Sequence, residues 1–181
     1  MKTLICYSSK TGNTAKIAQA IQAALPHADL HSVDENPDPD NYELIFVGFW
    51  VDKGTADDKA KKYMQRLNQQ TVALFATLGA NPDSQHARDS LNKAAQLIPA
   101  GNIVARFICQ GAIDPKLTAR MSTMPEDHPH APDAARIKRW QEAKEHPNSS
   151  DCANAAHWAT TIVKKLSHHQ PTHLVANKAR N

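Results

Sequence analysis

Cysteine is scarce in this chain. The three present, Cys6, Cys109 and Cys152, lie far apart and form no CxxC. An odd, scattered set fits a reducing compartment better than a disulfide scaffold. Cys6 and Cys109 fall inside apolar runs, so both are expected as small core residues. Long apolar runs are also missing: the longest, Leu44–Val51, falls far short of the roughly 18–20 residues that span a bilayer. The N-terminus runs straight into a strand pattern without a signal-peptide pattern, and the expectation is a soluble, cytoplasmic protein with no membrane partner. Nor is charge of one sign concentrated. A net charge of +3 with no long like-charged block argues against a nucleic-acid partner.

What the chain does have is an ordinary globular balance, 41% hydrophobic and 22% charged over 181 residues. That is enough for one domain with a sizeable core. Strand patterns at Thr3–Tyr7, Ala28–Val33, Leu44–Val51, Val72–Thr77 and Asn102–Cys109 alternate with helical patterns. The helices are expected to Ala24 from the first loop, over Ala56–Asn68 with Asp57 or Thr55 as cap, and over His86–Leu97 with Pro99 as its stop. The run Leu44–Val51 is continuously apolar, as in a strand covered on both faces. Such alternation predicts an α/β fold with a doubly wound parallel sheet of five strands. Between Ala112 and Asn148 the pattern changes: Met121–Pro132 reads as a loop, and Asp133–Lys144 as an amphipathic helix with Ala134, Ile137 and Trp140 on one side. The last helix is expected over Asp151–Leu166, its apolar side carrying Ala155, Trp158, Ala159, Ile162, Val163 and Leu166. A polar tail follows. The domain is thus residues 1–170, with 112–148 as an insertion and 171–181 as a flexible tail.

Glycine, with only six positions, is informative by placement. Gly12, Gly54, Gly79 and Gly111 each lie just beyond the carboxyl end of a predicted strand, the edge where open parallel sheets bind ligands. Gly48 lies inside strand three, and Gly101 just before strand five. Of the four edge positions, Gly12 sits in the most telling context, Ser8-Ser9-Lys10-Thr11-Gly12-Asn13-Thr14. A strand that turns through hydroxyls and one glycine into a helix presents backbone N–H groups to an anion. The loop lacks both GxGxxG and the Gly-Lys-Ser/Thr ending of a triphosphate loop, so a single phosphate monoester suits it better. The histidines of His128-Pro129-His130, His168-His169 and His173 find no third ligand by spacing, and no metal site is expected. No Ser-His-Asp or Cys-His arrangement can be assembled, so no catalytic residue is assigned.

Ser9-Lys10-Thr11-Gly12-Asn13-Thr14 resembles the Ser/Thr-x-Thr-Gly-x-Thr phosphate loop of flavodoxins, directly after the first strand as in that family. The agreement of element order extends over residues 2–111 and the last helix. The resemblance implies sheet order 2-1-3-4-5 with FMN at the switch point between strands one and three. Carried over, Ser9, Thr11, Asn13 and Thr14 would bind the FMN phosphate, with backbone help from Lys10 and Gly12. Trp50, Val51, Asp52, Lys53, Gly54 and Thr55 would flank the ring on one side, and Leu78, Gly79, Ala80 and Asn81 on the other. Trp50 reads equally well as a ring contact or as a residue capping the end of a buried strand. Lys53 near the ring would raise its potential by Coulomb attraction to the reduced anion.

The chain departs from familiar flavodoxins in carrying no aromatic on the strand-four loop, in being basic, and in the long insertion. The open ring face could admit a small substrate or be covered by the insertion. The Phe49-to-Asp57 run, Cys109-Gln110-Gly111 and His146-Pro147 are more similar to a bacterial flavodoxin-like subgroup, some members of which accompany a bilirubin-reducing enzyme in gut bacteria. The implied function is electron transfer between partner proteins, a reductase and an acceptor enzyme. Two alternatives remain at this stage: an NAD(P)H-dependent flavin oxidoreductase of the quinone reductase or protoporphyrinogen oxidase type, and a flavin-free anion-binding regulatory module. The oligomeric state is left open.

Overall fold

The computed structural model describes residues 1–98, 102–125, 128 and 131–168. Pro99, Gly101, the Pro129-His130 pair and the tail from His169 onward, all singled out above, lie outside the described residues.

Five parallel strands form the sheet: β1 (Thr3–Tyr7), β2 (Asp29–Ser32), β3 (Leu44–Asp52), β5 (Thr71–Leu78) and β6 (Asn102–Gln110), in the order β2-β1-β3-β5-β6. This is the expected 2-1-3-4-5 order, because the additional strand β4 (Thr55–Ala56) only folds back antiparallel on the end of β3. The hairpin joining them is tight. Val51 pairs with Ala56 and Asp52 with Thr55, and the two turn residues, Lys53 and Gly54, both have positive φ, at 49° and 77°. Two consecutive left-handed residues match the twist of a two-residue hairpin, and glycine takes the second without steric cost.

Alternation along the strands builds two cores. Leu4, Cys6, Ile45, Val47, Phe49, Val72, Leu74 and Ala76 face one side, against Ala60, Tyr63 and Met64 of α2 (Asp58–Met64) and Leu91 and Ala94 of α3 (Gln85–Ala95). Ile5, Leu44, Phe46, Ala73, Phe75 and Cys109 face the other, against Ile17, Ala18 and Ile21 of α1 (Asn13–Ala24) and Ala155, Ala159 and Ile162 of the last helix. Trp158 closes that second core, edge-on to Phe46 at 5.6 Å between centroids and tilted on Phe107 at 5.5 Å. Gly48 has a packing reason. A Cβ there would fall 2.1 Å from the Phe75 ring, so the aromatic occupies the space that a side chain would take.

Helix α2 is shorter than Ala56–Asn68: β4 takes Ala56, Asp57 caps the helix from outside, and 3₁₀-type bonds from Arg66 to Tyr63 and from Leu67 to Met64 close it early. Among the described residues the insertion holds two helices, α4 (Pro115–Ser122) and α5 (Ala134–Ala143), before α6 (Ser149–His168). Helix α4 was not apparent from periodicity. It buries none of its residues and rests on its termini, with Asp114 Oδ1 accepting from the Lys116 N–H and Pro115 at the first helical position. Helix α5 forms where expected, but only Ala143 is buried, and Ile137 stays exposed.

Candidate functional site

The loop between β1 and α1 is shaped by its own side chains. Gly12 takes φ +91° and stands before the first turn of α1 without a side-chain cap. Ser9 Oγ accepts from the Ala15 N–H at 3.2 Å, bending the loop back over the helix start. Thr14 is fully buried, and its hydroxyl shares a 2.9 Å bond with that of Thr77 at the end of β5. Asn13 Nδ2 donates to Thr11 Oγ1 at 3.2 Å and to the Ala112 carbonyl at 2.8 Å, which ties the loop to the exit of β6. Beneath it, Ser8 Oγ donates to Asp57 Oδ1 at 2.7 Å, and the same oxygen accepts the Lys59 and Ala60 N–H groups of α2. One buried carboxylate thereby fixes both the loop and the next helix.

Beside this loop, at the carboxyl edge of the sheet, lies a cavity of about 260 Å³. Its polar end carries Lys10, Thr11 and Asn13; its apolar body is made of Trp50, Val51, Leu78, Ile113 and Leu117. The ammonium of Lys10 sits over the Trp50 ring at 5.3 Å and pairs with Asp114 at 3.7 Å. Such a space suits a ligand with an anionic end and a flat apolar body.

Eight of the residues singled out from the sequence meet here: Lys10, Thr11, Asn13, Trp50, Val51, Leu78, Gly79 and Gly111. Ser9 and Gly12 face a different, more polar cleft on the β2 side of the loop, together with Ser8, Ser32 and the Asp34–Lys59 ion pair. Thr14 lies below the loop. Asp52, Lys53, Gly54 and Thr55 form the hairpin and do not line the cavity; a Cβ on Gly54 would meet His86 of α3 at 3.6 Å. Ala80 lies outside the lining too, and Asn81 turns towards α3: its side chain accepts from the Asp83 N–H, and its carbonyl from the Ser84 hydroxyl that caps that helix. Ile113, Asp114 and Leu117 line the cavity without having been singled out. The missed signal was Gly79, whose absent side chain leaves room for Ile113. A Cβ at position 79 would fall 2.5 Å from Ile113 Cγ1.

Two thiols adjoin this frame without entering it. Burial pushes the Cys6 thiol up to about 12 and raises that of Cys109 further, so both stay protonated core groups.

Comparison with known proteins agrees with the fold. The chain is 33% identical over 176 residues to the flavodoxin-like domain-containing protein BilS of Clostridioides difficile (strain CD3), covering 92% of this chain and 99% of that protein. Among solved structures, the flavodoxin, WrbA-like protein from Agrobacterium tumefaciens superposes with a TM-score of 0.59 at 15% identity, over 93% of this chain and 99% of that one. Oxidised flavodoxin 2 from Bacillus cereus gives 0.56 at 16%, over 91% and 99%. These two likenesses are of fold alone. The model of the flavodoxin domain matches residues 4–160, and the chain therefore belongs to the flavodoxin domain family.

Proposed function

We propose that the chain binds FMN and carries electrons between a reductase and an acceptor enzyme. The observation that carries this reading is the cavity itself. It joins a hydroxyl- and amide-lined helix N-terminus to an apolar slot at the carboxyl edge of β3, β5 and β6. The residues present fit the group. Thr11 accepts from Asn13 and keeps its own O–H to donate to a phosphate, Gly12 keeps the N–H groups of the helix start open to it, and the Thr14–Thr77 pair fixes the loop to the end of β5. Trp50 and Val51 offer one apolar wall to the ring and exclude water from it. FMN, when bound, supplies the reversible redox chemistry, and the protein sets the geometry and the access.

The test is direct. Purified protein should be yellow, or become so with one equivalent of FMN, and should oxidise NAD(P)H only slowly until a reductase is added. Rapid NAD(P)H oxidation without a partner would replace the carrier with an oxidoreductase of the same fold. A colourless protein that takes up no FMN would contradict both.

A further inference from the structure

Resting on the FMN reading, we propose that the insertion, and not the loop after β5, supplies the second wall of the ring site, with Ile113 and Leu117 as its contact residues. The loop after β5 is poorly placed for that work. Gly79 has no side chain, and Asn81 is committed to the turn that starts α3. Ile113 occupies the space over Gly79, close enough that a methyl group there would collide with it. Leu117, on the first turn of α4, continues the same wall and is 48% exposed.

The wall is anchored at several points. The Gly111 N–H donates to the Leu78 carbonyl at 2.9 Å, and the Ala112 N–H to the His146 carbonyl at 2.7 Å. The Ala112 carbonyl accepts from Asn13, Asp114 pairs with Lys10, and Lys16 of α1 donates to the Pro147 carbonyl. Both ends of the insertion are thereby bonded to the phosphate loop or to its helix, which sets Ile113 and Leu117 opposite the loop's own contacts. Helix α4 buries none of its residues, and Leu117 lines the cavity.

The test is a fluorescence titration of FMN and of riboflavin into flavin-free wild type, Leu117→Asp and Leu117→Met. A carboxylate in the wall removes apolar contact with the ring and must be desolvated against it. Leu117→Asp should weaken both flavins by about tenfold or more, the scale set by burying one leucine side chain. Leu117→Met should stay within about threefold of wild type, because it conserves volume and polarity. The thermal midpoint of the flavin-free protein should not move in either variant. Equal affinity of wild type and Leu117→Asp for FMN would overturn the proposal while leaving the FMN reading intact. A loss confined to FMN and absent for riboflavin would also overturn it, since the wall would then act on the phosphate loop. Wild type that binds neither flavin would remove the FMN reading and this wall together.

Discussion

The cavity has two walls of different construction. Trp50, Val51 and Leu78 belong to β3 and β5, strands whose neighbours Phe46, Phe49, Leu74 and Phe75 are fully buried between two helical layers. Ile113 and Leu117 belong to a segment that buries almost nothing and is held by backbone hydrogen bonds, an ion pair and a capped helix start. The first wall is part of the stability of the fold. The second is bound to it, and can change without disturbing the sheet. A binding site built this way keeps its position constant while its cover is free to vary.

Replacing residues in the frame that carries the first wall, and then on the second wall, should separate them. Phe75→Ala removes the ring that fills the space over Gly48 and should cost about 3–5 kcal/mol in urea unfolding. Truncation at Asp57 comes next. Asp57→Ala loses the α2 cap and leaves the buried Ser8 hydroxyl without its acceptor, a cost of about 1–3 kcal/mol by the same measurement.

Alkaline pH is a third way to load the frame. The folded chain holds the Cys6 proton up to about pH 12, whereas the unfolded chain releases it near 9.0. Stability contributed by the neutral thiol is therefore full below pH 9 and is lost as pH rises, by about 1.4 kcal/mol per pH unit for this group. A Cys6→Ala variant should show a flatter decline between pH 9 and about 12, the range between the two values. A decline as steep as wild type would rule the thiol out as its cause.

On the insertion side the effects on folding should be small. Leu117→Ala should change the stability of the flavin-free protein by no more than about 0.5 kcal/mol, because its side chain is half exposed. A larger loss would mean that α4 is integral to the core and that the two walls are alike.

Much of this frame was legible because buried parallel strands leave continuous apolar runs, and Leu44–Val51 reads as little else. The loop was legible for a local reason: its seven residues carry the turn, the helix start and the hydroxyls together. The β3–β4 hairpin escaped because two-residue strands have no periodicity. Helix α4 escaped for a related reason. Eight residues around Leu117 and Met121 bury nothing, so no hydrophobic pattern was required of them. Ile137 shows the converse: helical spacing is present, but the face it marks remains exposed. The second wall was the least visible part, because Ile113 meets Gly79 only through the adjacency of β5 and β6.

The central claim is that Thr11 and the N–H groups at the start of α1 hold a phosphate at the polar end of the cavity. Its most direct test is the ratio of FMN to riboflavin affinity in wild type and in Thr11→Val. Wild type should prefer FMN by well over tenfold. The variant, which loses the Thr11 hydroxyl at nearly unchanged shape, should give up about tenfold of that preference while binding riboflavin nearly as before. Equal affinity of wild type for the two flavins, or an equal loss of both in the variant, would contradict the account.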